Sequence, residues 1–293
     1  MSWKNLQVYI ALTSVSLFYG INYSILKLVI PDFVGAFGLI IYRVVISAII
    51  FWFIFLFSFE KVNWKADGIR LLMASLTGAA INMLLFYKGI SITTAVNGSI
   101  IMTLTPVLVL IWAAILLKER ITKFKILGIV IAMIGAIIII YSPQIELTSG
   151  NWRGDILILF NGTSYAAYLV IVKPLMKKYK PITVATWVFT LAIPFVLPFG
   201  YSEASEVNLS ALPPKILASI SYTILLVTVL VYFLNIWTLM KVDSSVVGAF
   251  IYLQPVFAIL TAILFFEEVF LLKHLVAALF VFSGVWLVTK KSS

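Results

Sequence analysis

Arg43 is the residue whose type and position most clearly indicate chemistry. It lies about ten residues into an apolar run that covers residues 34–57. A charge near the centre of a membrane-length helix costs at least about 2.5 kcal/mol, so such residues usually face a cavity or a partner. Two interpretations of Arg43 remain open. The guanidinium either holds an anionic group such as a solute carboxylate, or binds carbonyls and hydroxyls and fixes the helix packing.

Pro106 and Pro255 form a second feature, because each lies in the middle of a long apolar run. Proline removes a backbone donor and clashes with the carbonyl four residues earlier, which belongs here to Met102 and Ile251. Discontinuous helices of this kind are expected to offer the freed carbonyls to a solute near the membrane midplane. The alternative is that the kinks only shape packing, since membrane helices tolerate proline.

Further polar side chains within or at the ends of the apolar runs are candidates for lining a wet cavity. They are Tyr19, Asn22, Tyr23, Asn82, Asn97, Thr105, Tyr165, Tyr168 and Gln254. Buried amides also bond between helices, with an average gain of only about 0.6 kcal/mol, and tyrosines often mark the headgroup level. The group that we most expect at a cavity is Tyr19, Asn22 and Tyr23, together with Tyr165 and Tyr168.

Two glutamates, Glu119 and Glu268, lie in connections between apolar runs. They are predicted either to form gating ion pairs that break during a conformational change, or to be structural. In the structural interpretation, each acid favours the dipole of the helix that follows it, or Glu119 pairs with Arg120.

The sequence lacks several catalytic motifs. It contains no G-x-x-x-x-G-K-[ST] phosphate-binding loop, so no ATPase motor is expected within it. It has no cysteine and a single histidine, His274, which argues against thiol chemistry, a metal site or another cofactor. No Asp or Glu lies deep inside an apolar run, which weakens a proton-driven mechanism without excluding it.

Composition indicates the elements that must position these residues. Hydrophobic residues make up 63% of the 293-residue chain and charged residues 11%, whereas soluble domains carry about 25% charged residues. Ten apolar runs are long enough to cross a hydrocarbon core as helices, which takes about 20 residues. They cover residues 6–27, 34–57, 69–89, 94–117, 123–141, 154–173, 182–200, 216–240, 244–266 and 271–289. We therefore predict an all-α integral membrane protein with ten transmembrane helices in a lipid bilayer.

The formal net charge of +10 is interpreted as a topology signal and not as a nucleic-acid-binding surface. With a cytoplasmic N-terminus, the basic residues concentrate in the connections on the cytoplasmic side, as the positive-inside rule requires. These residues are Lys61, Lys65, Arg70, Lys118, Arg120, Lys123, Lys125, Lys177, Lys178 and Lys180. We therefore expect a bacterial inner membrane protein with both termini cytoplasmic.

The two halves of the chain match each other when one is shifted along the other. The matched pairs are Pro106 with Pro255, Glu119 with Glu268 and Gly135 with Gly284 at a shift of 149 residues, and Tyr19 with Tyr165 and Lys27 with Lys173 at a shift of 146. Because each half holds five runs, an odd number, the second half must enter the membrane inverted. We predict two inverted five-helix repeats, residues 1–147 and 148–293, with a solute site between them near the midplane.

A stripe of small residues lies on the fifth run and consists of Gly128, Ala132, Gly135 and Ala136. Small residues in membrane helices allow close helix packing, which is the simplest prediction for this stripe. A dimer contact is the alternative, and the sequence leaves the oligomeric state open.

Several segments resemble a known family. They are Y-G-I-N-Y-S-I-L-K at 19–27, Arg43, A-V-N-G-S-I-I-M-T-L-T-P at 95–106, K-E-R at 118–120, Gly128 and Gly135. In order and spacing they resemble the EamA domain of the drug/metabolite transporter superfamily, over nearly the whole chain. The resemblance implies ten helices in two inverted halves, and export or exchange of amino acids and related metabolites. The second half departs from the pattern, with Val269 in place of Arg120 and Ala277 in place of Gly128.

We expect a secondary carrier of a small solute, and no enzyme, working by alternating access around a cavity. The cavity is predicted to be lined by the first, second, third, fourth, sixth, eighth and ninth runs.

A nucleotide-sugar or other phosphorylated-solute transporter is the nearest alternative. It predicts more basic residues in the cavity than Arg43, Lys27, Lys88 and Lys173 provide. An integral membrane enzyme acting on lipid is less favoured, because it needs a cluster of acids, histidines or nucleophiles. A structural partner without transport would leave Arg43 and the paired prolines unexplained.

Overall fold

The computed structural model describes residues 3–93, 98, 101–140, 152–265 and 272–290, and these residues form helices and connections without a strand. The α-helices are α1 (Trp3–Val29), α2 (Ala36–Leu56), α3 (Trp64–Ser75), α4 (Ile81–Ile92), α5 (Thr105–Leu117), α6 (Lys123–Ile140), α7 (Trp152–Val172), α8 (Pro181–Glu206), α9 (Pro214–Tyr222), α10 (Val231–Leu239), α11 (Ser244–Ala249), α12 (Leu253–Phe265) and α13 (Leu272–Thr289). Short 3-10 helices cover Lys173–Lys177, Leu209–Ala211 and Phe250–Tyr252.

Two segments have the wider π-helical turn and join α-helices end to end. The first π segment, Leu76–Ala80, joins α3 to α4, and the second π segment, Thr223–Leu230, joins α9 to α10. The two segments begin 147 residues apart, close to the shifts that align the two halves of the sequence. Single π turns inside α-helices occur frequently at functional sites.

Eight helical stretches in the described residues are long and apolar enough to cross a membrane. They are Leu6–Leu26, Ala36–Leu56, Trp64–Ile92, Trp152–Lys177, Pro181–Glu206, Pro214–Leu239, Ser244–Thr261 and Leu272–Thr289. The other two predicted runs contain α5, which has 13 residues, and α6, which has 18. The chain is therefore a multi-pass helical membrane protein, while the count of ten spans stays a prediction.

Apolar side chains cover both faces of the helices. On α2, Phe51 and Phe55 are buried in the bundle, whereas Ile49 and Phe53 are more than 60% exposed. Trp286 on α13 is exposed to a similar degree. Burial of apolar groups drives soluble folding, so such exposure of large apolar side chains fits a surrounding of lipid and not of water.

The small-residue stripe packs against another helix of the same chain. A Cβ atom added to Gly128 on α6 would lie 2.5 Å from the carbonyl oxygen of Gly284 on α13. A Cβ atom added to Gly135 would lie 2.7 Å from the Ala277 carbonyl oxygen. The two backbones are therefore in direct contact, and the prediction of close packing through this stripe is confirmed.

Contacts between the two halves of the chain are reciprocal. Helix α2 packs on α8, and α6 packs on α13. Helix α1 packs on α12 and α10, just as α7 packs on α5 and α4. Helix α2 also contacts the second π segment, just as α8 contacts the first. Exchanging the halves thus maps the α2–α8 and α6–α13 contacts onto themselves and each of the other contacts onto its counterpart.

The α2–α8 pair is fixed at both ends by glutamates. The Glu203 carboxylate at the end of α8 accepts hydrogen bonds of 2.8 Å from the backbone N–H groups of Phe37 and Gly38 in α2. At the opposite end, Glu60 accepts from the Lys180 N–H at 2.8 Å and from the Thr183 hydroxyl at 2.7 Å, at the start of α8. Each acid therefore satisfies free donors at the N-terminus of its partner helix.

Candidate functional site

A cavity of about 100 Å³ lies between the two halves of the bundle. Its lining residues are Tyr19, Asn22, Leu26, Arg43, Asn82, Met83, Phe86, Tyr87, Met102, Asn161, Tyr165, Val227, Tyr232, Ile251 and Gln254. These residues come from the same seven runs that we expected to line a cavity. Six of the predicted site residues meet here, and they are Tyr19, Asn22, Arg43, Asn82, Tyr165 and Gln254.

Arg43 is the one charged side chain among the described lining residues. It is only 6% exposed. Its Nε donates to the Thr228 hydroxyl at 3.0 Å, and its Nη1 donates to the Tyr87 hydroxyl at 3.0 Å. A guanidinium has five N–H donors. Within the described residues the other three have no protein acceptor, so the buried cation has donors available for a bound group.

Asparagines from the two halves join across the cavity wall. The Asn161 side chain donates to the Asn82 carbonyl at 2.8 Å, and the Asn82 side chain donates to the Asn161 carbonyl at 3.4 Å. The Asn161 Oδ1 atom is buried without a hydrogen-bond partner in the described part of the chain. Asn22 instead accepts from the Thr223 hydroxyl at 3.0 Å. The amides therefore hold the helices together beside the cavity.

The two proline-containing spans are interrupted just before each proline. In the first half, helix stops at Thr103 and Leu104, and α5 begins with Pro106 in its first turn. In the second half, the 3-10 helix Phe250–Tyr252 separates α11 from α12, which contains Pro255. Met102 and Ile251, whose carbonyls we expected to be freed, both line the cavity. The prolines themselves do not line it.

Thr105 and Tyr168 were also expected at the cavity, and neither lines it. Thr105 is fully buried against Gly162, where an added Cβ atom would lie 2.8 Å from its hydroxyl oxygen. Tyr168 is fully buried with its ring over Gly78 of the first π segment, which leaves no room for a side chain there. Both residues fill contacts between helices and lie behind the cavity wall.

Three other predicted site residues cannot be assigned a contact. Asn97 and Glu268 lie outside the described residues, and Tyr23 is described in its backbone only, as part of α1.

Glu119 lies in the connection between α5 and α6 and is the centre of what we call the ion network, with Lys125, Lys173 and Asp243. Its Oε1 atom accepts from Lys173 Nζ at 2.8 Å, and its Oε2 atom lies 3.9 Å from Lys125 Nζ. Asp243 binds Lys125 at 3.0 Å and Lys173 at 3.4 Å. Burial alone would raise the pKa of Asp243, but the two lysines outweigh burial and hold that pKa below its usual value.

Glu119 also caps a helix, although not the one that follows it. It accepts from the Ser244 N–H at 2.9 Å and from the Ser245 hydroxyl at 3.1 Å, at the start of α11. The cations beside Glu119 are Lys173 and Lys125, and not Arg120, which was one of the two structural alternatives. The ion network therefore joins the first half of the chain to the second.

A void of about 10 Å³ lies between the cavity and the ion network. It shares four lining residues with the cavity, which are Tyr19, Tyr165, Ile251 and Gln254. It is also lined by Leu169, whose carbonyl accepts from the Ser244 hydroxyl at 3.3 Å. Such a volume is of the size that a single water molecule needs. The bundle is therefore nearly closed between the cavity and the ion network.

Sequence reasoning missed several residues around Arg43. Tyr87, Tyr232 and Thr228 were not expected there, although Tyr87 and Thr228 are its hydrogen-bond partners and Tyr232 lines the same cavity. The repeat contained a signal for Thr228, which lies 146 residues after the predicted cavity residue Asn82. Within the described ranges, no three His, Asp or Glu side chains come together closely enough to hold a metal ion.

A multi-pass helical bundle with a buried arginine and several amides around a cavity between its two halves fits the architecture of a membrane transporter. The sequence model of the EamA-like transporter family matches residues 6–141 and again residues 152–290. The chain belongs to this family.

Similar proteins agree with this assignment. The chain is 26% identical over 257 residues to the uncharacterized transporter YyaM of Bacillus subtilis, covering 86% of this chain and 84% of YyaM. It is 28% identical over 298 residues to the uncharacterized transporter YetK of the same organism, covering 98% of this chain and 88% of YetK. A solved crystal structure with 11% identity has the same fold, with a TM-score of 0.79 over 97% of this chain and 96% of that one.

Proposed function

We propose that this membrane transporter is a secondary carrier of small organic solutes that bear a carboxylate, such as amino acids and related metabolites. It works by alternating access between two inverted repeats, residues 1–147 and 148–293, that together supply ten spans. It lies in a bacterial inner membrane with both termini cytoplasmic, and it exports or exchanges its solute. The reciprocal contacts between the halves support this arrangement.

Arg43 is the single observation that carries the choice of solute. A buried guanidinium with three N–H groups that have no acceptor among the described residues favours a planar anion, because a carboxylate accepts two parallel hydrogen bonds from it. No Asp or Glu is among the described lining residues, so no protein carboxylate neutralises this charge inside the cavity. The buried cation therefore gains most from a solute that brings its own anion.

The small number of basic residues at the cavity favours a carboxylate over a phosphorylated solute. Lys88 is exposed and does not line the cavity, and Lys173 is held by the ion network. Among the side chains that the structure describes, which do not include Lys27, the cavity presents one cation, whereas a nucleotide-sugar carries two phosphate charges.

The ion network serves as the closed cytoplasmic gate in this proposal. Glu119 connects the α5–α6 connection of the first half to α11 of the second, so an inward-open state must break this contact. By the predicted topology this end of the bundle faces the cytoplasm.

Transport by the purified protein in liposomes tests the proposal. Uptake of a labelled panel of amino acids and other monocarboxylates is measured for the wild type, Arg43→Ala and Arg43→Lys. Lys88→Ala is the matched control, because Lys88 is an exposed cation near the cavity. We expect saturable carboxylate uptake without ATP, lost in Arg43→Ala, weakened in Arg43→Lys and retained in the control. Uptake that needs ATP, or that survives in Arg43→Ala, would contradict the proposal.

A further inference from the structure

Thr228 lies in the second π segment and holds an unusual position among the residues around Arg43. Its side chain is fully buried, and its hydroxyl donates at 2.8 Å to the carbonyl of Thr223, five residues earlier. A threonine in an α-helix usually bonds to the carbonyl three or four residues back. The π turn therefore changes where this hydroxyl can point.

The single proton of the Thr228 hydroxyl is used in this bond. A hydroxyl has one donor and two acceptor lone pairs. With its proton held by the Thr223 carbonyl, the oxygen can only accept at its open side, where Arg43 Nε donates at 3.0 Å. The backbone of the π segment thus turns Thr228 into a fixed acceptor for the guanidinium.

The two bonds of Arg43 fix the orientation of the whole guanidinium plane. Thr228 holds Nε and Tyr87 holds one hydrogen of Nη1, so the two bonds together resist rotation of the planar group about the Cδ–Nε bond. The directions of the remaining hydrogens on Nη1 and Nη2 are then fixed within the guanidinium plane. Bidentate recognition of a carboxylate depends on such alignment more than recognition by a point charge does.

We propose that Thr228 is a positioning residue for solute recognition, and that the second π segment serves to place its hydroxyl at Arg43. The inference rests on the proposed function, because it assumes that Arg43 binds the carboxylate of the solute. Thr228 itself is expected to act only through Arg43, since it is not among the lining residues of the cavity.

The chain offers a matched set of variants. Thr228→Val keeps the shape of the side chain and removes the acceptor, and Thr228→Ser keeps the hydroxyl. Thr77→Val is the control, because Thr77 lies in the first π segment and bonds to the Met73 carbonyl four residues earlier, away from Arg43. Thermal unfolding of each purified variant shows whether it folds as the wild type does.

The experiment measures transport of the panel carboxylate that the wild type takes up best, with competition by that carboxylate and by its carboxamide. We expect Thr228→Val to raise KM about tenfold with little change in maximal rate, as fits the loss of a hydrogen bond to a charged group. It should also reduce the preference for carboxylate over carboxamide, which a general loss of stability would not do. Thr228→Ser and Thr77→Val should behave as the wild type.

The outcomes separate this inference from the proposed function. If Arg43→Ala abolishes uptake while Thr228→Val keeps the wild-type KM and preference, Thr228 has no positioning role and the proposed function stands. If Thr228→Ser is as weak as Thr228→Val, the hydroxyl does not account for the effect and the inference fails. Retention of carboxylate uptake by Arg43→Ala, or its absence in the wild type, would overturn both.

Discussion

Single ionisable side chains of the bundle are stabilised in two different ways. Arg43 is buried among neutral hydroxyls, with no carboxylate beside it among the described lining residues. Glu119 is also buried, but it has two lysines and a helix N-terminus as partners. A buried charge is stable only when its partners compensate the lost hydration. A bound anion can therefore supply the counter-charge that Arg43 lacks among the described lining residues, whereas Glu119 already has two lysines as counter-charges.

Replacing Glu119 by glutamine tests the ion network. Glu119→Gln keeps the shape and one acceptor but removes the negative charge that Lys173 and Lys125 face. Removing one member of a buried ion pair costs about 3 kcal/mol. We expect a Tm lower by several degrees, because the two lysines would keep only the half-exposed Asp243. Thermal unfolding in detergent measures this change.

A second measurement separates gating from stability alone. Val247 lines the void between the ion network and the cavity. Val247→Cys on the cysteine-free chain should react faster with a small maleimide when Glu119→Gln is also present, because the closed end opens more often. Glu206→Gln is the control, since Glu206 is exposed at the end of α8. An unchanged reaction rate would mean that Glu119 is structural and does not gate.

Among the elements, α6 and α13 form a helix pair whose backbones are in direct contact at glycines. Gly284 faces Ala132 as well as Gly128, and an added Cβ atom there would lie 2.5 Å from the Ala132 backbone nitrogen. Backbone atoms cannot move aside as a flexible side chain can. Close packing of this kind replaces the hydrophobic driving force that is absent between helices in lipid.

Gly284→Leu is expected to separate this pair and destabilise the protein by about 3 kcal/mol, the upper part of the usual range for overpacking. Ser283→Leu is the matched control, because Ser283 is the neighbouring residue on the exposed face of α13. The measurement is the Tm of both variants in the same detergent. Equal Tm values for the two would contradict the assigned packing of α6 on α13.

The helices could be predicted from the sequence to a large extent. The apolar run predicted at 34–57 corresponds to the helix Ala36–Leu56, and the run predicted at 216–240 corresponds to the helical stretch Pro214–Leu239. Run length depends only on local composition, so no knowledge of partners is needed. The breaks before Pro106 and Pro255 were predictable for the same reason, since proline acts on its own helix.

The contacts that complete the site were harder to predict. A π turn has no residue signature, so the second π segment and the bond from Arg43 to Thr228 were not expected. Glu119 was singled out by the repeat, but its partners Lys173 and Ser244 lie 54 and 125 residues away. Such pairings depend on how the two halves dock, which local patterns do not encode.

At the scale of the whole molecule, the contacts of the first half have equivalents in the second half. The α2–α8 pair shows this at its ends, where Glu203 caps α2 and Glu60 caps the start of α8. The two π segments are related in the same way. The first packs against α8 of the second half, and the second packs against α2 of the first half. If the repeats are inverted, a pseudo-two-fold axis relates them. One rocking motion of one repeat against the other then opens one end of the cavity as it closes the other.

Inversion makes a sharp prediction for equivalent positions. Lys61 and Asn208 are 147 residues apart, the same separation as the two π segments, and both are exposed in connections. Inverted repeats place them on opposite sides of the membrane. A membrane-impermeant maleimide should label Asn208→Cys in intact cells and Lys61→Cys only after permeabilisation, while the cysteine-free wild type gives no background. The reverse pattern would keep the inversion and turn the chain around in the membrane. Labelling of both positions from one side would refute the inversion itself, because two parallel repeats are the arrangement that puts equivalent connections on the same side.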